Sequence, residues 1–334
     1  MSTTRYAVLG AGSWGTALAM LLAKNNHPTT LWAHTQSQIE TLQKERANKK
    51  YLGDIRFPDS LNINADLATT IAQANRILLV VPSHSFRTTC KALAPLITAQ
   101  HKVAWASKGF EADSHKLLHQ VAQEEFTPAT PLAVLSGPTF AKEVAQGLPG
   151  AVTIASTEKE FALELANDCH SKMFRAYTSS DMVGVEVGGA VKNVMAIAAG
   201  IADGLGFGSN SRAALIARGV AEMMRLGVTL GAQKDTFMGL TGLGDLVLTC
   251  SDDQSRNRRF GLALGKGKTQ QQALDDIKQV VEGRLTAKAV YQLAQQYQIE
   301  MPITEQVYKV LYEDLDPKIA AQALMERGVR AEID

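Results

Sequence analysis

Along the first half of the chain, short runs rich in Val, Ile, Leu and Ala alternate with stretches of helical character. The runs fall at residues 6–9, 29–32, 77–81, 103–106, 132–135 and 152–155. Most are nearly continuous in apolar side chains, as in strands covered on both faces. Between several of them lie helix-like segments such as 17–24 and 114–125. This alternation predicts an α/β fold with a doubly wound, parallel sheet of the Rossmann type.

After Tyr177 the period changes and helical spacing takes over. Ile216, Val220, Met223 and Gly227 share one helical face, as do Val290, Leu293, Ala294 and Tyr297. Gly188 to Asn193 are expected to open a helix running through Ala198. Thr269 followed by Gln272 reads as a capping box, and Pro302 and Pro317 punctuate the last helices. The pattern places a boundary near residues 178–182. It divides the chain into a dinucleotide-binding domain, 1–180, and an all-α substrate and catalytic domain, 181–334. No internal repeat or low-complexity tract interrupts either part.

Composition narrows the class. A chain of 334 residues suits two domains. With 46% hydrophobic and 20% charged residues and a net charge of +1, it has apolar content for two cores. The same balance argues against a nucleic-acid partner or a polybasic membrane anchor. The three cysteines, Cys90, Cys169 and Cys250, are far apart and show no zinc spacing, so three unpaired thiols and no metal are expected. No signal peptide is visible in MSTTRYAVLG. No apolar run approaches the roughly 20 residues of a membrane span. A cytoplasmic protein without membrane insertion is expected.

The first chemical motif follows the first strand. Gly10-Ala11-Gly12-Ser13-Trp14-Gly15 is a G-x-G-x-x-G string that opens the first helix and leads to a second strand at 29–32. Gly10 permits a tight turn, Gly12 lets backbone approach a pyrophosphate, and Gly15 allows close helix–strand packing. The helix N-terminus then receives the phosphate. Ser13 and Trp14 lie on this turn as cofactor contacts. A glycine-rich turn that binds nothing is the alternative. NAD-selective sites usually carry an acid at the end of the second strand. Here Leu31-Trp32-Ala33-His34-Thr35 has none. NADP or NAD is therefore expected, with NADPH favoured and His34 near the 2′-phosphate, unless His34 is only a loop histidine. Later loops at 80–84, 107–109 and 136–141 follow strands and face the same crevice, which puts Lys108 in reach of substrate or cofactor.

The second cluster lies in the helical half. Lys192 emerges from a stretch of Val, Met, Ala and Ile. A partly desolvated lysine exchanges protons near neutrality; the alternative is a lysine snorkelling from a buried helix. Asp245, flanked by Gly, Leu and Val, is placed to orient a lysine. Ser255-Arg256-Asn257-Arg258-Arg259 suits an anionic substrate, since guanidinium groups bind phosphate bidentately. A solvated basic face would have the same composition. Lys108 and Arg256 are both expected to depress the pKa of Lys192.

Residues 189–210 closely resemble the signature of NAD(P)-dependent glycerol-3-phosphate dehydrogenases. So do GAGSWG at 10–15, SKG at 107–109, SGPTFAKE at 136–143, TGLGDLVLTC at 241–250, SRNRRFG at 255–261 and VVEG at 280–283. The match covers nearly the whole chain in order, and its length looks like the bacterial form. The resemblance implies a Rossmann-type domain followed by a 6-phosphogluconate-dehydrogenase-like helical domain. It implies reversible reduction of dihydroxyacetone phosphate to sn-glycerol 3-phosphate, which supplies phospholipid synthesis, and a homodimer. By the same resemblance Lys192 exchanges the substrate proton and Lys108 touches substrate and cofactor. Gly137, Thr139, Asp245, Ser255, Arg256 and Asn257 correspond to substrate contacts. Ser13, Trp14, His34, Ala141, Arg256, Val280 and Glu282 correspond to cofactor contacts. Two other readings stay open: a β-hydroxyacid dehydrogenase of the same architecture, and a non-catalytic NAD(P) sensor.

Overall fold

The computed structural model describes residues 4–329, 331 and 332. Its first half is built on one sheet of eight strands: β1 (Tyr6–Leu9), β2 (Thr29–Trp32), β3 (Leu61–Asn64), β4 (Arg76–Leu79), β5 (Lys102–Trp105), β6 (Leu132–Ser136), β7 (Gly150–Ala155) and β8 (Phe174–Ser179). Their order is β3-β2-β1-β4-β5-β6-β7-β8. β1 is entirely buried between β2 and β4, as its apolar run requires. The chain reverses its direction of travel across the sheet at β1, so a crevice opens at the carboxyl ends of β1 and β4.

Two strands and one orientation differ from the sequence expectation. β3 and β8 are the edges, reading LNIN and FRAYTS with exposed polar positions, and neither carries a continuous apolar run. β7 runs antiparallel to β6, pairing Ser136 with Thr153. The short helix Ala141–Gln146 between them does not cross the sheet, so β7 starts at the end where β6 stops. The crossover helix Lys159–Cys169 then restores a parallel β7–β8 pair.

The centre of the second half is a single helix, Met182–Gly204. It starts well before Gly188, contrary to expectation. Asp181 caps it, its Oδ1 accepting from Gly184 N at 2.8 Å. Gly188 and Gly189 sit in its interior because packing outweighs their cost of about 1 kcal/mol each in a helix. A Cβ on Gly188 would lie 2.7 Å from the carbonyl oxygen of Thr241. This helix is long and apolar enough to cross a membrane, correcting the expectation of no such run, but 94% of the qualifying window is buried within the protein. Other helical readings hold. Val220, Met223 and Gly227 are buried on Ser209–Thr229, and Thr269 and Gln272 form their capping box. Tyr297 departs from its expected face: it ends the helix Glu282–Gln296 and is 46% exposed, while Val290, Leu293 and Ala294 are buried. The three cysteines are free and buried.

The hydrophobic core of the helical half includes Phe110 and Leu117, which come from the loop after β5. The central helix also meets the helix Arg256–Gly265 backbone to backbone. A Cβ on Gly200 would lie 2.0 Å from Arg258 O, and one on Gly261 would lie 2.0 Å from Ile197 O. Gly261→Ala is expected to cost about 1–3 kcal/mol through this clash, read as a lowered Tm in a thermal melt. Gly328→Ala, with open space around it, should leave Tm unchanged; equal melts for the two variants would refute the contact.

Candidate active site

The glycine turn has the shape its spacing demands. Gly10 adopts φ +115°, and a Cβ there would lie 2.4 Å from Val80 O. A Cβ on Gly15 would lie 1.9 Å from Gly10 O, so the helix Ser13–Lys24 rests directly on the turn. A Cβ on Gly12, by contrast, would project into open space. Gly12 precedes the first helical residue and offers no side-chain cap, so the first-turn N–H groups are left for an anion. This cradle fits a dinucleotide pyrophosphate. Ser13 and Trp14 are half-buried beside it. His34 is exposed just past β2, its ring edge-on to Trp32 at 6.2 Å. Ala141 begins the helix after β6 and is half-buried.

Hydrogen bonds link the next loops to one another. Ser107 Oγ donates to Val81 O at 2.6 Å, which joins the loop after β5 to the loop after β4. The neighbouring Lys108 then extends its ammonium to Asp245 Oδ2 at 2.7 Å and lies 3.4 Å from Gly137 O. Thr139 Oγ1 donates to the same Gly137 carbonyl at 3.2 Å.

Asp245 reaches this point because a π-helical turn, Leu240–Gly244, runs into the helix Asp245–Ser251. The turn is fixed against the central helix by Thr241 Oγ1, which donates to Val185 O at 3.1 Å. Asp245 is 1% exposed. Its Oδ1 takes a short hydrogen bond from Lys192 Nζ, so one carboxylate bridges two lysines. Lys192 also donates to Thr249 Oγ1 at 3.0 Å, and Thr249 donates onward to Asp245 O at 2.6 Å. Burial drives the Lys192 pKa down to about 7; the charge of Lys108 adds to this and that of Asp245 opposes it. Arg256 is not among the causes, which corrects the expectation that it would share in the depression.

The basic segment divides its labour. Ser255 caps the helix Arg256–Gly265 by accepting from Arg258 N. Asn257 Nδ2 donates to Asn193 Oδ1 at 2.9 Å and its Oδ1 accepts from Gly283 N at 3.0 Å, tying this helix to the residue beside Lys192. Arg258 is buried against Asp203 at 2.6 Å and Cys250 O, a structural role. Arg259 is exposed. Arg256 is half-buried, with only a long hydrogen bond of 3.4 Å to Gln279 and no salt bridge among the described residues. Burial lowers its pKa, with the Glu282 charge opposing. Val280 is exposed. Glu282 accepts from Ser83 Oγ at 2.7 Å and Ser83 N at 3.3 Å, closing the helical half onto the loop after β4.

Thr249 and Ser83 were absent from the sequence-derived candidates. Thr249 could have been found from its i+4 spacing to Asp245 on one helix. Ser83 carries no such local signal, because its partner lies 199 residues away.

Comparison with known proteins shows the family. The model of the NAD-dependent glycerol-3-phosphate dehydrogenase N-terminus matches residues 5–162, and that of the C-terminus matches residues 181–322. A glycerol-3-phosphate dehydrogenase [NAD(P)+] of Pseudoalteromonas translucida is 55% identical over 99% of both chains. One of Colwellia psychrerythraea is 53% identical over 98% of both. The crystal structure of glycerol-3-phosphate dehydrogenase from Coxiella burnetii superposes with a TM-score of 0.94 at 47% identity, covering 97% of this chain and 99% of that one. With both halves matched and relatives aligned end to end, the chain belongs to the NAD-dependent glycerol-3-phosphate dehydrogenase family.

Proposed function

We propose that the protein reduces dihydroxyacetone phosphate to sn-glycerol 3-phosphate with NAD(P)H, reversibly, and that Lys192 gives and takes the substrate proton. The observation that carries this reading is the buried Lys108–Asp245–Lys192 bridge at the carboxyl edge of the sheet, joined through Ser107 and Val81 to the loop after β4, whose Val80 packs against Gly10 of the glycine turn. Residues 1–180 serve as the dinucleotide-binding domain and 181–334 as the substrate and catalytic domain. The end of β8 at Ser179 and the start of the central helix at Met182 support that division.

Gly10, Gly12, Ser13, Trp14 and Gly15 would hold the cofactor pyrophosphate, with His34, Lys108, Ala141, Arg256, Val280 and Glu282 around the rest. When bound, the cofactor would supply the hydride from its nicotinamide. Protonated Lys192 donates a hydrogen bond to the ketone oxygen and passes it a proton as negative charge grows there. Asp245 and Thr249 occupy two of its donors, which leaves one for substrate. Lys108 adds a second positive field, and such fields gain strength in a site from which water is excluded. Gly137, Thr139, Ser255 and Asn257 shape the pocket. Arg256, which forms no salt bridge among the described residues, is suited to grip the phosphate as a bidentate donor. In oxidation the neutral lysine accepts the alcohol proton. The product is a phosphorylated glycerol backbone, the chemistry that phospholipid synthesis requires. A cytoplasmic homodimer is consistent with the family resemblance, and exposed Tyr312, Ile319 and Met325 offer apolar surface for such a pairing.

Lys192→Met is expected to lower kcat by about 10²–10⁴ while cofactor affinity stays close to wild type; steady-state kinetics and a cofactor titration check this, and wild-type turnover would exclude the assigned role. The pH dependence has a definite sign. Reduction uses the charged lysine, so its kcat/KM should fall as pH rises through about 7. Oxidation uses the neutral amine and should rise through the same range; parallel, flat profiles would remove Lys192 as the proton carrier. With dihydroxyacetone phosphate and each cofactor in turn, kcat/KM is expected to be higher with NADPH, since no acid follows β2. Equal or better efficiency with NADH would overturn that preference.

A further inference from the structure

Glu186 lies on the central helix less than two turns before Lys192, and no step above uses it. It is 5% exposed. A carboxylate in such a place is costly unless its oxygens are satisfied, and Glu186 satisfies them with both ends of one loop. Its Oε1 accepts from Trp105 Nε1 at 2.9 Å and from His119 N at 2.9 Å, and its Oε2 pairs with His119 Nδ1 at 2.5 Å. Trp105 is the last residue of β5, and His119 stands in the first turn of the helix Leu118–Glu125. The loop between them carries Lys108.

The rest of the loop is held as firmly. Phe110 and Leu117 form a backbone bridge and are buried in the helical core. On its outer side, Arg87 grips both oxygens of Glu111, at 2.5 and 2.7 Å. The stem of Lys108 crosses the central helix at Gly189, one turn beyond Glu186, where a Cβ would lie 3.5 Å from Lys108 Cγ. The lysine thus runs along the helix from the Glu186 fastening to Asp245.

We propose that Glu186 is a positioning residue for the reaction, fastening the Lys108 loop to the central helix so that Lys108 and Lys192 face one substrate oxygen. This rests on the site reading above. A residue that only supports the fold would leave the contribution of Lys108 unaltered; a positioning residue acts through it.

The test is a double-mutant cycle on the full-length enzyme, read as kcat/KM for dihydroxyacetone phosphate with cofactor Kd measured in parallel. Glu186→Gln keeps the side-chain shape and removes the charge. It is expected to lower kcat/KM about 10-fold in the wild-type background and less than about 2-fold in Lys108→Ala, the sign of coupled sites. Cofactor Kd should stay within about 2-fold of wild type throughout. Trp105→Phe removes the Nε1 donor together with part of the buried ring and passes through the same cycle, so the proposal can be decided if Glu186→Gln does not fold. Losses that multiply independently in the cycle would overturn the positioning role. A Lys108→Ala enzyme with wild-type kcat/KM would instead overturn the site reading, and this proposal with it.

Discussion

A single buried carboxylate between two ammonium groups organises the functional half of this molecule. Asp245 receives Lys108 from the sheet side and Lys192 from the helical side, so the bond network that forms the site also joins the two halves of the chain. Removing one member of a buried charge set is far more damaging than its net contribution to stability suggests, because the others are left unpaired. With both lysines protonated, the set also carries an excess positive charge in a poorly solvated place. That excess suits a substrate whose oxygen becomes negative and whose other end is a phosphate.

The scaffold around Asp245 explains how such a charge set can exist. The central helix brings Lys192 through an apolar core and presents it where the π-helical turn ends. Insertions of this kind re-aim the following residues and are frequent at functional sites. The flanking helix is drawn close by glycines that remove side-chain bulk from the contact, and through Asn257 it reaches the residue next to Lys192. A lysine that titrates near neutrality therefore follows from packing: burial does most to lower the pKa of Lys192, and charges tune it.

Much of this was readable in the chain itself, for identifiable reasons. The glycine turn is legible because each glycine answers a backbone requirement local to one short segment. Lys192 and Asp245 stand out because a charge in an apolar stretch must find a partner or reach water when the chain folds. β3 and β8 escaped because edge strands need bury only alternate residues. The start of the central helix escaped because Gly188 and Gly189 resemble a beginning when read locally, and only their contact with Thr241 shows why they sit in the middle. The arginines of 256–259 look equivalent in sequence. Only the folded chain commits Arg258 to Asp203 and leaves Arg256 without a carboxylate salt bridge among the described residues. Glu186 was unreadable because its partners are 81 and 67 residues away.

Phe110 and Leu117 belong to the sheet half by sequence and to the helical half by packing. Swinging the two lobes apart as rigid shells would strip both side chains from that interior, at about 1.5–3 kcal/mol for each large apolar group bared to water. Wide hinge opening is thereby penalised.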